Sequence, residues 1–165
     1  RVVDEARALS QGSHRFETSV QPGLFLLGDE GDVLSIFSNL VSNAVRYTPE
    51  SGLIRVIWVA EEGAARFTVS DTGIGIAEKD MPRLTERFYR IDAGRSRASG
   101  GTGLGLSIVK HALERHDGWL EIQSEPGRGS IFNCHFPDRR VRIVQASADL
   151  KTSPAIGADA LKNVI

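Results

Sequence analysis

A chain of 165 residues that is 41% hydrophobic and 25% charged carries enough apolar material for one packed domain and reads as an ordinary soluble globular protein. Its 20 Lys+Arg against 21 Asp+Glu leave a net charge of -1, which removes the overall basic field of a nucleic-acid binder while leaving room for a local phosphate patch. A single cysteine, Cys134, excludes an internal disulfide, and the four scattered histidines complete no zinc pattern with it.

No stretch approaches the roughly 18 apolar residues of a membrane span, and no signal peptide opens the chain. The expectation is a soluble piece suited to a reducing compartment and, beginning at Arg1 without a methionine, cut from something larger.

Residues 1–12 read as the close of a helix, with Val2, Val3, Ala6 and Leu9 on one side before Gly12. "HRFETSV" alternates like a strand, and "QPG" turns it. "GDEGDVLSIFSNLVSNAVRYTPE" predicts a long helix whose apolar face is Val33, Ile36, Phe37, Leu40, Val41, Ala44 and Val45. Asp29, Glu30 and Asp32 favour its start and Pro49 ends it. Strands "LIRVIWVA" and "ARFTVSD" follow, joined by "EEGA".

Residues 71–102 differ in kind: "DTGIGI", a short helical "EKDMPRLTERF", then the polar "DAGRSRASGGT". A connection this long with little apolar periodicity suits a functional lid. A helix returns over 103–116, with Leu106, Ile108, Val109, Ala112 and Leu113 supplying its packing, and "WLEIQSE" and "GSIFNCHF" flank the turn "PGRG" as two last strands. Cys134 reads as a small buried hydrophobe there. Beyond Phe136 the pattern fades into a tail, partly disordered or packed on a neighbour. The order predicts an α+β fold, a two-layer sandwich in which a mixed or antiparallel sheet is covered on one face by helices.

Candidate chemistry gathers at three places. Asn39 and Asn43 stand four apart on the long helix, so both amides project from one side. Asn is a poor helix former, and the pair is either a satisfied polar border or a source of amide oxygen for a hard cation beside phosphate. Arg46 and Tyr47 follow one turn later, a charge for phosphate and a ring for a base. Asp71 closes a strand just before "TGIGI"; it is either a turn former or an acceptor for an amino group such as adenine's, with Gly73 and Gly75 bending the chain around the ring. The run "GGTGLGLSIVK" places bare backbone N–H groups at a helix start, which suits an anion. Arg95 and Arg97 just before it are idle surface charges or a clamp on polyphosphate.

Three familiar nucleotide motifs are missing. There is no GK pair for a Walker loop, the polar "RSRAS" rather than a hydrophobic strand precedes the glycines, and "DTG" without HRD or VAIK is not the eukaryotic-type kinase set.

Taken in order, "NLVSNAVRYT", "DTGIGI", "ERFYRID" and "GGTGLGL" resemble the N box, first glycine box, F box and second glycine box of the ATP-binding domain of bacterial sensor histidine kinases, within the wider ATPase group that includes gyrase and Hsp90. The likeness covers roughly residues 14–137, and "MPRLTERFYRIDAGRSR" with "GGTGLGLSIVKHAL" resembles the branch that serves the phosphate regulon. It implies three segments: 1–13 as the end of a linker helix from a dimerisation domain, 14–137 as the ATP-binding catalytic domain, and 138–165 as a C-terminal tail.

The resemblance implies that Asn43 holds Mg2+, that Asn39, Arg46, Arg95 and Arg97 lie near phosphate, that Asp71 receives the adenine amino group, and that Tyr47 flanks the nucleotide. Gly73, Gly75 and Ile76 of one glycine box, and Gly101, Thr102, Gly103, Leu104, Gly105 and Leu106 of the other, complete the ATP contacts. Phe88 anchors the lid against the body, and Ser130, where the family commonly has Thr, keeps a hydroxyl for an adenine-side water. Arg46 replaces the commoner Lys. Asn39 stands where hydrolysing relatives carry Glu, and a neutral amide cannot activate water.

The nucleophile implied is therefore a histidine on a separate dimerisation and phosphotransfer domain, since His14, His111, His116 and His135 begin no acceptor motif. The implied partners are that domain and a response regulator of the phosphate-regulon type, reached through a full-length homodimer at the membrane. No nucleic-acid partner is implied, and this segment is not itself membrane-inserted. Two alternatives remain open: a nucleotide-gated interaction module without kinase activity, and a serine kinase of the anti-sigma type.

Overall fold

The element that organises the fold is the helix Glu30–Tyr47. Asp29 caps it by accepting the Asp32 N–H at 2.9 Å, relieving one of the unpaired donors of the first turn. Pro49 stops it: the residue before a proline is pushed out of the helical region, and Thr48 stands extended at ψ 129. Ser35, Ser38 and Asn39 are satisfied within the helix, each donating to a carbonyl four residues back. Val33, Ile36, Phe37, Leu40, Val41 and Ala44 form the buried stripe, with Val45 at its rim.

The computed structural model describes residues 1–91 and 102–144. In chain order these form α1 (Val2–Ser10), β1 (Arg15–Val20), β2 (Leu24–Leu26), α2 (Glu30–Tyr47), β3 (Leu53–Glu61), β4 (Ala64–Asp71), α3 (Gly105–Arg115), β5 (Trp119–Glu125), β6 (Gly129–Pro137) and β7 (Val141–Ile143), with short 3-10 turns at Glu78–Arg83 and Asp138–Arg140. Five strands make one mixed sheet in the order β1-β3-β4-β6-β5, in which β1 runs parallel to β3 and the other neighbours are antiparallel. Strands β2 and β7 form a separate antiparallel pair.

The three helices cover one face of the five-stranded sheet. Ile54, Val56 and Trp58 of β3, Ala65, Phe67 and Val69 of β4, and Phe132, Cys134 and Phe136 of β6 point into the core, in strict alternation along each strand. Phe37 of α2 stacks on Phe67 of β4 with ring centroids 3.8 Å apart, so the helix that carries the two asparagines is fixed against the strand that ends in Asp71. Side chains buried this completely contribute about 1.5–3 kcal/mol each. Cys134 is buried among them, and burial pushes its thiol well above the ordinary range, as a packing residue requires.

Three expectations need correction. Leu9 is exposed because the buried face of α1 centres on Val3 and Ala6, and Ser10 turns inward in its place. Ile108 is exposed for the same reason: Val109, Ala112 and Leu113 define the inner face of α3 and leave it beyond the rim. Residues 138–144 are not loose chain, since β7 pairs with β2 from Leu24↔Ile143 to Leu26↔Val141 and Val141 enters the core. The rest of the expected tail, 145–165, lies outside the described residues.

Candidate functional site

Where α2 ends, four segments meet. Strand β4 stops at Asp71, and the loop that follows folds back onto the end of the helix, the Ile74 N–H donating to the Tyr47 carbonyl at 3.1 Å. Gly73 presses against that same carbonyl so closely that a β-carbon would stand 2.5 Å from the oxygen, a distance no side chain tolerates. From the other side, the Ile76 N–H donates to Ser124 Oγ at 2.8 Å and the Gly127 N–H to the Ile74 carbonyl at 2.8 Å. The loop is thus held between α2 and the β5–β6 turn.

Asp71 stands at the head of this loop. Its Oδ1 accepts the Gly73 N–H at 2.8 Å, and Ser130 lies opposite it in the β4–β6 register. Burial pushes the Asp71 carboxyl above its ordinary value, while the backbone N–H groups of Gly73 and Ser130 pull the other way. Ser130 is buried, with its hydroxyl 2.9 Å from Ser124 Oγ. That serine pair is a bridge between strands and the glycine loop.

One and two helical turns back from Tyr47, Asn43 and Asn39 share one side of α2, both half-buried. Asn39 Nδ2 donates to the Ser35 carbonyl at 2.7 Å, so its Oδ1 turns toward α3. There it meets Gly105: a β-carbon on that glycine would lie 2.8 Å from Asn39 Oδ1, and the first turn of α3 approaches this closely because residue 105 has no side chain. Asn43 makes no hydrogen bond among the described residues, which leaves its amide oxygen available to a ligand. Arg46 and Tyr47 are exposed at the helix end.

The second glycine run is described from Thr102 onward. Thr102 is exposed, Leu104 precedes the first turn of α3, and the Gly103 carbonyl accepts the Phe88 N–H at 2.9 Å. Leu106 and Ile76 pack on the core and keep part of their surface. Arg95, Arg97 and Gly101 lie outside the described residues. Phe88 is a correction: its ring is 71% exposed and its backbone is left-handed at φ 64, so it projects outward instead of anchoring against the body.

Among the described residues, no three His, Cys, Asp or Glu side chains gather to hold a metal ion. The donor set instead suits a cation completed by other oxygens: Mg2+ needs octahedral oxygen coordination, and one amide oxygen with phosphate oxygens and water supplies it. A depression of about 450 Å³ is lined by Asp71, Ser124 and Ser130 together with Arg55, Gln123 and Arg128; neither Asn39 nor Asn43 borders it.

All four histidines have structural partners. His14 lies between Ser10 and the Thr48 carbonyl, and His116 is buried with Nδ1 on the Ala112 carbonyl and Nε2 on the Asp29 N–H. His111 pairs with Glu114, and His135 stacks on Trp119 beside Glu121. Sequence reading missed Ser124 and Thr72, whose Oγ1 accepts the Leu53 N–H. A signal for Ser124 existed, because it falls on the inward side of β5 in register with Leu120 and Ile122.

Residues 28–140 match the family described as histidine kinase-, DNA gyrase B-, and HSP90-like ATPase. The chain is 52% identical over 148 residues to the phosphate regulon sensor protein PhoR of Pseudomonas aeruginosa, an alignment covering 89% of this chain and 33% of that protein. Among solved structures, the mycobacterial sensor histidine kinase MprB superposes with a TM-score of 0.76 at 27% identity, covering 87% of this chain and 93% of that one. Full-length ShkA, solved in complex with AMPPNP, superposes at 0.69 with 28% identity over 88% of this chain and 30% of that one. No helix among the described residues is long and apolar enough to cross a membrane.

Proposed function

This chain belongs to the histidine kinase-, DNA gyrase B- and HSP90-like ATPase family, and from that membership we propose that it binds Mg-ATP in the cleft between α2, the loop after β4 and the start of α3, and donates the γ-phosphoryl group to a histidine on another domain. The observation that carries the reading is Asp71, a partly buried carboxylate at a strand end whose Oδ1 is fixed by the Gly73 N–H at the head of the glycine loop. The complex of ShkA with AMPPNP supports a nucleotide in this fold.

Each residue has a part. Asp71 accepts the adenine amino hydrogen, and Tyr47 flanks the base. Asn43 offers its amide oxygen to Mg2+, which when bound would neutralise charge on the phosphate oxygens. Arg46 and, beyond the described residues, Arg95 and Arg97 supply cations to the phosphates, and the glycines from Gly101 to Gly105 let the backbone approach them. Asn39 cannot take a proton from water, which favours transfer over hydrolysis. Transfer breaks the bond between the γ-phosphorus and its bridging oxygen, releases ADP and forms a phosphorus–nitrogen bond on the acceptor imidazole, whose proton is lost.

The four histidines of this chain are occupied structurally, which supports an acceptor elsewhere. The chain spans about a third of the PhoR protein it matches, and we place the acceptor in the remainder: residues 1–13 end a linker helix from a dimerisation domain of the full-length homodimer, residues 14–137 are the catalytic unit, and 138–165 carry the C-terminal extension. The likeness to PhoR supports a phosphate-responsive sensor of the inner membrane, with this domain on its cytoplasmic side and a PhoB-like response regulator as its partner.

Calorimetric titration with ATP, with and without Mg2+, tests the site. Binding should weaken about 10- to 100-fold in Asp71→Asn and lose its Mg2+ enhancement in Asn43→Ala. The isolated chain should remain unlabelled by radioactive ATP and should label an acceptor histidine once the dimerisation domain is supplied; an acid-labile phosphate on the isolated chain would refute the assignment of the acceptor.

A further inference from the structure

The segment joining α1 to β1 is tied to the loop after α2 by three hydrogen bonds. The Ser51 N–H donates to the Ser13 carbonyl at 2.7 Å, the Arg15 N–H to the Gly52 carbonyl at 2.9 Å, and His14 Nε2 meets the Thr48 carbonyl at 2.9 Å. The first two are backbone contacts that many sequences would make. The third depends on one side chain.

Its tautomer follows from its partners. A carbonyl oxygen can only accept, so Nε2 carries the proton. Nδ1 is then the acceptor for the Ser10 hydroxyl at 2.9 Å, and the His14 backbone N–H closes the circle by donating to Ser10 Oγ at 3.1 Å. The ring is therefore fixed at both ends, with one nitrogen on the last residue of α1 and the other on the C-cap of α2.

What lies beyond Thr48 gives this contact its reach. The neighbouring carbonyl, that of Tyr47, accepts the Ile74 N–H and supports Gly73, and Gly73 in turn holds Asp71. A continuous path of contacts runs from α1 through His14, Thr48 and Tyr47 to the carboxylate at the head of the cleft. We propose that His14 is a positioning residue for the nucleotide site: its Nε2–H fixes the Thr48–Pro49 peptide, next in the chain to the one whose Tyr47 carbonyl supports the glycine loop, so that the placement of α1 governs the order of the loop carrying Asp71, Gly73 and Ile74. This deepens the ATP-binding reading and rests on it for its functional meaning.

Amide hydrogen exchange at Ile74 tests the path with no nucleotide present, with the Val69 amide of β4 as reference. Removing one hydrogen bond should raise Ile74 exchange about three- to tenfold in His14→Ala, leaving Val69 unchanged. His14→Gln, which keeps an N–H at the reach of Nε2, should restore protection; His14→Asn, which reaches only as far as Nδ1, should not. ATP affinity should weaken across the four proteins in the same order as Ile74 protection. Unchanged Ile74 exchange in folded His14→Ala, an equal rise at Val69, or no difference between the Gln and Asn variants would overturn the proposal, and the last comparison decides it even if the Ala variant fails to fold. If Ile74 responds as stated while the parent protein binds no ATP, the latch stands and the nucleotide reading falls.

Discussion

Asp71 Oδ1 accepts the N–H of Gly73, two residues further along the chain, at 2.8 Å. That bond turns the backbone away from β4 and commits one carboxylate oxygen to the loop. The same carboxyl is held above the ordinary 3.8 chiefly by burial, so the folded domain binds a proton there more readily than the unfolded chain. Its stability contribution is present at low pH and lost as pH rises through the folded value.

Asp71→Asn keeps an oxygen for Gly73 and removes the buried charge. At neutral pH the variant should melt no lower than the parent, and the decline in stability above pH 3.8 should flatten. ATP affinity should fall about 10- to 100-fold, the loss of a hydrogen bond to a charged acceptor. Thermal melts across pH together with calorimetry separate the two effects, and a variant that lost affinity only by unfolding would contradict the assignment.

Gly105→Ala sets helix propensity against contact. Alanine improves a helix by about 1 kcal/mol over glycine, but its β-carbon would lie 2.8 Å from Asn39 Oδ1 and displace that amide. Thermal stability should hold or rise while affinity for ATP drops. A crystal structure or Asn39 side-chain NMR signal would register the displacement directly.

Thr48 Oγ1 is buried with no hydrogen-bond partner among the described residues. An unsatisfied buried hydroxyl costs about 1–3 kcal/mol. Thr48→Val preserves the shape without the hydroxyl, and chemical denaturation should find it as stable as the parent or about 1 kcal/mol more stable. Thr48→Ser, which keeps the hydroxyl and deletes the methyl that packs against Gly52, should be the less stable variant.

Asp32 joins the start of α2 to the end of α3 through Arg115 Nε at 2.7 Å. The Arg115 hydrogen bond holds the Asp32 carboxyl below its ordinary 3.8, with His116 adding a smaller pull in the same direction. This contribution is full above pH 3.8 and is lost as pH falls through the lower folded value. Asp32→Asn should therefore remove part of the acid sensitivity of the melting temperature, while leaving the neutral-pH effect within the small range of an exposed pair.

The long elements were legible in the sequence because their periodicity persists: α2 repeats its apolar stripe from Val33 to Ala44, and β4 alternates from Ala65 to Val69. The two asparagines and the terminal aspartate could be read for the same reason, each being defined by its position on one such element. What escaped depends on contacts between distant segments. Strands β2 and β7 are three residues each, too short to carry a period, and exist through their mutual pairing. The grip of Ser124 on Ile76 joins residues 48 apart in sequence; the alternation of β5 turns Ser124 inward, but nothing near it names Ile76 as its partner. The anchoring role of Phe88 came from the resemblance of "ERFYRID" to a family motif; its left-handed backbone, with its N–H on the Gly103 carbonyl, accompanies an exposed residue instead.

The pairing of Leu24 with Ile143 also sets a timetable for the ribosome. The strand made near the start of this domain has no mate until nearly all of the described chain has been synthesised, whereas β3 and β4 can pair as soon as their short turn emerges. A nascent chain stalled before Val141 should therefore hold its central hairpin but leave Leu24, Phe25 and Leu26 open to chaperone capture, and release from that capture should coincide with arrival of the last strand.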